Sequence, residues 1–598
     1  MRHTPTFKEF SQDIAISFMT GILVAVVFFI PVWSELSDGH TGFSAVYEIF
    51  FHTSNPEAIY GKGIDQLGSF WMVNEVGDMV LRGQDTFLKN VYAPFGYDLG
   101  VHTGFAWLDA LMAVPLAEWI GNPGFYNLHI FISIALSVTA LMVLFRTIRL
   151  PWILTFALVQ LIFMQQYVIG ELITGRPTQV HLLFPCIFWL GLLRFYQHGF
   201  QFKDGVLVGF GLGTSCLVYW FGGAGMGFVG VILCLGFWFQ YHRSESSSPS
   251  NRRWFQPIIA STIASVTALS ITIAVAWRGI EPIISGKGSR AYLNMDRAPI
   301  KVIDLGITTF DVQKLYPIDT WENWLDVWHD TEISVILLGC WCLTLLYKPL
   351  WKSHWIWCVG TVIALGLPFG SGLQISEAIW IPTPFVLLQK IFPPMIRCQY
   401  VGRLQFAYTI PAMMLTGFAI RHWLTTKTPS RRMQVGLGVF LIAINLVNWP
   451  RTGVMLTDRY EVLDETAAFF DTKKGKLLEI PYNTTNSSYV QQIWHKRPTN
   501  GGPGIDTVRE NRHTRYFNRN KITATLESIA GGTSFDTTLE RRSLLQLQRD
   551  NFRWVLVHLN QQSGSIEEYE YFLQTTATIL DDRNIAVLPL PQIQLPSQ

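Results

Sequence analysis

Asp65, Glu75, Asp78, Asp85 and Asp98 crowd the stretch IYGKGIDQLGSFWMVNEVGDMVLRGQDTFLKNVYAPFGYDLG. Carboxylates are the groups with which a protein takes up a proton or holds a hard cation. Gly61, Gly63 and Gly68 bracket Asp65 and let the backbone come close to a ligand. From Gln66 to Leu81 the apolar residues Leu67, Phe70, Trp71, Val73 and Val76 predict an amphipathic helix along a membrane surface, with Asp65 as its N-cap. Plain helix capping accounts for Asp65 as well as chemistry does.

A ladder of apolar stretches must position this loop. The first, Ile14 to Trp33, is uninterrupted, and others lie near 125–145, 150–169, 181–196, 205–221, 224–240, 257–277, 333–347, 355–370, 404–423 and 434–449. Hydropathy therefore predicts about 11 spans. The short basic connections fix their orientation. They hold Arg146 and Arg149; Arg194 and Lys203; Arg243, Arg252 and Arg253; Lys348 and Lys352; and Arg421, Lys427, Arg431 and Arg432. All five fall on one side only if Phe105 to Ile120 does not cross. That segment carries Asp109, Pro115 and Glu118, which are costly at a bilayer centre, so it is expected to lie on or dip into the outer interface. The N-terminus, with Arg2 and Lys8, is then cytoplasmic, and the chain after Trp449 is exterior.

Composition agrees. Charged residues make up 15% and aromatic residues 14%, a balance that belongs to a membrane protein rather than a soluble domain. A net charge of +2 gives no reason to expect nucleic acid as a partner. Cys186, Cys216, Cys234, Cys340, Cys342 and Cys358 sit in predicted spans and leave Cys398 without a partner, so neither a disulfide framework nor zinc spacing is present. The first span has no small-x-small cleavage site and reads as a retained helix.

Three outer loops are substantial: 34–124, 278–332 and 371–403. The connection from Tyr241 to Trp254 reads as a solvated linker. After Trp449 the composition becomes that of a soluble domain, with strands expected at Lys476–Pro481, Phe552–Val557 and Asn584–Leu590. Helices are expected at Glu461–Phe470, Thr538–Arg549 and Ile566–Gln574. The expected fold is mainly α: a polytopic membrane helical bundle plus interfacial helices over residues 1–449, followed by a C-terminal extracytoplasmic α/β domain over 450–598.

The order of several stretches resembles the membrane-integral glycosyltransferases of the GT-C superfamily, and most closely a large bacterial branch. They are the early Gly-x-Asp of the first outer loop, YAPFGYDLGVHTGFAWLDALMAVPLAEWIGNPGFYNLHIF, GRPTQVHLLFPCIFWLGLLRF, PPMIRCQYVGRLQFAYTIPAMM and LLEIPYNTTNSSYVQQIWHKRPTNGG. The resemblance implies an enzyme of the bacterial cytoplasmic (inner) membrane. It would move a sugar from a polyprenyl-phosphate-linked donor to an acceptor glycan, lipid or protein on the outer face.

In that superfamily an acidic residue of the first outer loop is essential, and Asp65 is the matching position. Transfer from a lipid phosphate needs a base for the acceptor hydroxyl, whereas phosphate leaves without an acid. A second acidic group near the outer end of the third or fourth span often assists or binds metal. Glu171, in IGELITGRPTQVH, is its nearest equivalent, although Asp is the more frequent residue there. A divalent metal, Mg2+ or Mn2+, is implied between Asp65 and Glu171. His181 joins the candidates for the donor site, although a lone His at a span end also reads as a solvated interface residue.

Arg397 and Arg403 flank CQYVG on the outer face, against the positive-inside bias, and their planar forks suit a phosphate. Arg176, Arg290 and Arg297 could share that task, and Trp321, Trp324 and Trp328 could stack a sugar or form an interfacial belt. Two non-catalytic readings fit the same scaffold. A transporter or flippase would need polar residues within several spans, and a structural partner in a cell-envelope polysaccharide assembly would have no use for Asp65.

Overall fold

The computed structural model describes residues 7–36, 58–60, 64–83, 87–89, 94, 97–98, 107–120, 124–163, 168, 171–172, 176, 181–244, 251–284, 310–311, 335–369, 372–376, 379–392, 395, 404–447, 457–459, 464–481, 512–559, 562–580 and 585–593. Most of these are helical. Along the chain run α1 (Phe7–Leu36), α2 (Ile64–Leu81), α3 (Trp107–Ile120), α4 (Gly124–Thr147), α5 (Trp152–Phe163), α6 (Leu183–His198), α7 (Phe202–Val218), α8 (Trp220–Ser244) and α9 (Asn251–Ile284). There follow α10 (Val335–Leu346), α11 (Lys348–Leu365), α12 (Pro384–Ile391), α13 (Gln405–Lys427) and α14 (Arg431–Val447). The last five are α15 (Asp464–Asp471), α16 (Arg512–Arg519), α17 (Lys521–Ala530), α18 (Arg541–Arg549) and α19 (Ile566–Leu573).

The chain divides into two compact units. The first comprises Met1–His52, Gly104–Trp277 and Asp296–Thr457, and the second Thr53–Thr103, Arg278–Met295 and Asp458–Gln598. Residues 53–103 of the first expected outer loop thus belong with the C-terminal segment, so the division does not follow the sequence boundary at 449/450.

Among the described residues of the first unit four helical segments are long and apolar enough to cross a bilayer: Ser11–Phe29, Gly124–Thr147, Trp220–Tyr241 and Phe255–Trp277. Several of the other expected spans form shorter helices, such as α5 with 12 residues and α6 with 16. Large apolar side chains stay exposed along α1 (Ile14, Met19, Leu23) and α9 (Ile258, Val266, Leu269), as lipid contact requires. Between helices, small residues allow close approach. Ser17, Gly21 and Ala25 recur every fourth position on α1, and a Cβ on Gly21 would lie 2.3 Å from the Ala135 carbonyl oxygen of α4. Gly205, Gly209 and Gly213 of α7 meet Ala260, Ala264 and Ala268 of α9 in the same way, with built Cβ atoms 2.4–2.7 Å from the alanine carbonyl oxygens. This is the small-xxx-small pattern by which helices associate where the hydrophobic effect gives no drive.

The segment expected at the interface, Phe105 to Ile120, is α3. Its 14 residues measure about 21 Å along the axis, short of the roughly 30 Å of a hydrocarbon core. It packs against α4 and α7. The linker expected from Tyr241 to Trp254 is shorter than its composition suggested: α8 continues to Ser244 and α9 begins at Asn251, because nothing before the Ser-rich centre breaks the helix.

The second unit holds a four-stranded mixed sheet of β1 (Lys476–Ile480), β2 (Phe552–His558), β3 (Thr578–Leu580) and β4 (Ile585–Pro589), in the order β3-β4-β2-β1. β1 runs parallel to β2, while β4 is antiparallel to β2 and to β3. One face packs Leu478, Ile480, Val555, Val557, Ala586 and Leu588 against Leu526, Leu544 and Phe572 of the helices. The other buries Leu477, Leu556, Ile585 and Val587 against Phe470 of α15. The period-2 alternation along each strand divides the side chains between these two cores. A short strand, Ala58–Tyr60, pairs with Thr457–Arg459.

Candidate functional site

The first unit buries a polar cluster among the ends of three helical segments. Asp109 lies in the first turn of α3, where a helix N-terminus favours negative charge. His129, on α4, donates from Nε2 to Asp109 Oδ1 at 2.9 Å, and the two side chains are 1% and 0% exposed. Neither charge could be buried alone at tolerable cost; paired, they are close to neutral. His181, which immediately precedes the Leu182–His198 region, is also fully buried and feels the charges of both Asp109 and His129. Its ring lies 5.1 Å from that of Phe184.

Ser133 and Ser137 continue the His129 face of α4 at four-residue spacing. Ser137 Oγ accepts the Leu182 backbone N–H at 2.8 Å and donates to the Ser133 carbonyl, which fastens the residue after His181 to α4. Asp109 Oδ2, Ser133 Oγ and both ring nitrogens of His181 have no hydrogen-bond partner among the described residues. A buried carboxylate oriented against one imidazole, with a second imidazole beside it, can hold a proton or accept and donate hydrogen bonds to a hydroxyl or phosphate oxygen. The solvated reading of His181 is therefore corrected: three elements close over it.

Glu171 and Arg176 form the second grouping. Arg176 Nε meets Glu171 Oε2 at 2.7 Å, the Arg176 N–H donates to the Glu171 carbonyl at 2.8 Å, and Glu171 is 5% exposed. The expected phosphate ligand and the expected second acid thus engage each other, which fits a hard cation poorly because such an ion takes most of its ligands as free oxygens. Among the described residues no three His, Cys, Asp or Glu side chains form a metal-holding group.

The backbone of Asp65 lies in the first turn of α2, one residue inside the helix rather than at its cap; its side chain lies outside the described residues. Arg290, Arg297, Arg397, Arg403, Trp321, Trp324 and Trp328 lie outside them too. On α2 the predicted apolar positions Phe70, Trp71, Val73 and Val76 are buried. Among them, burial first and the nearby Asp78 second push the Glu75 carboxyl up to about 7, while Asp78 itself pairs with Arg82 at 2.9 Å. At that value Glu75 exchanges its proton near neutral pH.

Along 97% of its length this chain superposes on the arabinofuranosyltransferase AftD from Mycobacteria, with a TM-score of 0.53, 11% sequence identity and 41% of AftD covered. The fold is shared with a sugar transferase. At that identity the likeness concerns the fold alone, and the chain spans less than half of AftD. The oligosaccharyltransferase of Archaeoglobus fulgidus is a more distant likeness. Its complex with Zn and sulfate gives a TM-score of 0.46 at 10% identity, with 91% of this chain and 68% of that one covered. Its complex with an inhibitory peptide and a dolichol-phosphate gives 0.44 at 10% identity, with 93% and 70% covered. No protein-family model matches the sequence, nor does any curated protein.

Asp109 and His129 are the residues that sequence reasoning missed. Asp109 was weighed only as a cost to membrane crossing, although an ionisable residue in an apolar helix is itself a functional signal. His129 gave no sign, since its partner is twenty positions away on another helix.

Proposed function

We propose that the protein is an integral-membrane glycosyltransferase of GT-C type, from the large bacterial branch of that superfamily. It takes a sugar from a polyprenyl-phosphate-linked donor to an acceptor on the outer face of the cytoplasmic membrane. The observation that carries this reading is the fold shared with AftD over 97% of the chain. The proposal includes about 11 spans, a cytoplasmic N-terminus and an exterior C-terminal domain over 450–598, which the positive-inside bias supports. A periplasmic reporter enzyme fused after Gln598 should be active; activity from a cytoplasmic reporter alone would overturn the topology.

In the proposed reaction Asp65 is the general base. The acceptor hydroxyl oxygen bonds to the anomeric carbon and its proton passes to the Asp65 carboxylate, while the bond from that carbon to the phosphate oxygen breaks and its electron pair leaves with the lipid phosphate. Arg176, Arg297, Arg397, Arg403 and His181 are the candidates to hold phosphate, and Glu171 keeps Arg176 oriented. Ligand contact at the end of the first unit is supported by the spare hydrogen-bonding capacity of Asp109, Ser133 and His181. The divalent cation, Mg2+ or Mn2+, implied between Asp65 and Glu171 has no part in this reaction, since Arg176 already engages Glu171.

Incubating the purified protein with a panel of polyprenyl-phosphate sugars and following product by mass spectrometry tests the activity. No transfer from any donor, by a protein shown to be folded, would reject it. A second reading, a non-catalytic transporter or flippase, is favoured by the buried Asp109–His129 pair, since such pairs mark transport pathways. Lipid-sugar movement across proteoliposomes that survives Asp65→Asn would support it.

A further inference from the structure

Within the third expected outer loop, 371–403, an antiparallel pair of strands, Gly372–Ser376 and Ile379–Pro382, runs straight into α12. Thr383 caps that helix: its Oγ1 accepts the Phe385 backbone N–H at 3.3 Å, and Pro384, at the first helical position, has no N–H to satisfy. One face of α12 is used inside the first unit, where Phe385 and Leu388 are buried. The other face is apolar too. Leu387 and Ile391, one turn apart, are 52% and 65% exposed, and Ile381 just before the helix is also exposed. From Ile379 to Phe392 the stretch IWIPTPFVLLQKIF carries a single charge, Lys390, while Glu377 precedes it at the turn between the strands, outside the described residues. A loop standing in water gains nothing from a second apolar face.

Packing fixes where that face sits. Val359, Val362 and Gly366, the residue that caps α11, follow one another along one side of that helix. Both valines are exposed, and a Cβ on Gly366 would lie 2.6 Å from Pro384 Cδ. α12 therefore starts where the exposed apolar side of α11 ends. At the other end of α12, Phe392 meets the ring of Trp220 edge-on, with centroids 5.4 Å apart. Trp220 opens α8, one of the helices long and apolar enough to cross a bilayer. So α12 bridges the ends of two membrane helices at one level, and its eight residues, about 12 Å along the axis, are too few to cross.

We propose that α12 is an interfacial anchor whose partner is the lipid bilayer itself: Ile381, Leu387 and Ile391 insert among phospholipid acyl chains, and Lys390, on the same side of the helix, extends its ammonium to the phosphates above them. Continuity with the exposed apolar side of α11 selects lipid over a protein partner as the cover. This part of the third expected outer loop then faces membrane rather than solvent. Assigning it to the outer leaflet rests on the proposed topology; the insertion itself does not.

The test is photolabelling of the full chain in phosphatidylcholine vesicles that contain a phosphatidylcholine with a diazirine either near the glycerol end or at the tip of an acyl chain, with adducts mapped by peptide mass spectrometry. Leu387 and Ile391 should be labelled, more by the glycerol-proximal probe than by the chain-tip probe. Val266, exposed at the middle of Phe255–Trp277, should show the opposite preference. Tyr571 of the second unit, 69% exposed, should take neither probe and should instead be modified by hydroxyl radicals generated in the water, from which Leu387 and Ile391 are protected. Labelled Val266 with no lipid adduct on α12 would overturn the proposal. Radical modification of Leu387 and Ile391 would then leave the helix in water, and their protection would mean that another protein surface covers them. A chain-tip preference equal to that of Val266 would overturn the interfacial placement. Transferase activity is not the readout, so failure here leaves the proposed reaction untouched, and loss of the proposed reaction leaves this anchor standing.

Discussion

Two buried polar clusters, one in each unit, are built to opposite rules. In the second unit Asn520, 1% exposed, has both ends of its amide engaged. Its Oδ1 accepts the Ile522 and Thr523 backbone N–H groups at 3.1 and 3.3 Å, and its Nδ2 donates to the Ser543 carbonyl at 3.0 Å. This is an N-cap for α17 that also ties α18 to it. In the first unit Asp109, Ser133 and His181 are just as buried, but Asp109 Oδ2, Ser133 Oγ and the His181 ring nitrogens have no hydrogen-bond partner among the described residues. A fully satisfied buried polar group stabilises a fold, whereas spare capacity costs folding energy and is retained where something else is to be bound. The comparison gives Asn520 a stabilising role and makes the Asp109 cluster a candidate for ligand contact.

The largest expected effect is that of the proposed base. Asp65→Asn should lower transfer by roughly 100-fold or more, the loss typical of a positioned base, with unchanged expression and melting temperature. Asp78→Asn and Asp85→Asn, from the same loop, should cost far less. Full transfer by Asp65→Asn would leave capping as the role of Asp65.

Next, Asp109→Asn keeps the shape and one acceptor for His129 while removing the charge. Transfer should fall by about tenfold, at the low end of what a lost charge-assisted contact costs. A lowered melting temperature with unaltered kcat and KM would make the cluster structural and erase the contrast with Asn520.

Asn520→Ala should show the converse. The loss of the cap and the orphaned Ser543 carbonyl should cost about 1–2 kcal/mol of stability, read from thermal or denaturant unfolding, with activity per folded molecule preserved. An activity defect beyond the unfolded fraction would contradict the assignment.

The smallest effect concerns Glu75. Its folded-state pKa of about 7 lies above its ordinary 4.5, so its contribution to stability is full below about 4.5 and is lost as pH rises through about 7. Unfolding followed between pH 5 and pH 8 should therefore show declining stability, and Glu75→Gln should flatten that slope. An identical slope in the variant would place the titrating group elsewhere.

Much of the scaffold was legible from residue order. The strands expected at Lys476–Pro481, Phe552–Val557 and Asn584–Leu590 are β1, β2 and β4 to within a residue or two, because short apolar runs bounded by turn residues have few other uses. The helix expected from Gln66 to Leu81 is α2, and the segment expected at the interface contains the 14-residue helix α3. The short helices α16 and α17 escaped notice; RHTRYFNR carries too few apolar residues to show a helical period, whereas KITATLESIA has Ile522, Leu526 and Ile529 at helical spacing and could have been read.

Local pattern, then, fixed which segments are apolar helices, which are strands, and where basic connections and acidic loops fall, because periodicity and composition act over a few neighbouring residues. Tertiary structure alone decided which polar side chains meet. It paired Asp109 with His129 across two helices, turned His181 inward against them, joined Glu171 to Arg176, and set Gly205, Gly209 and Gly213 against Ala260, Ala264 and Ala268. Each of these depends on which helix faces which, and that is settled by packing between distant parts of the chain, which no local window contains.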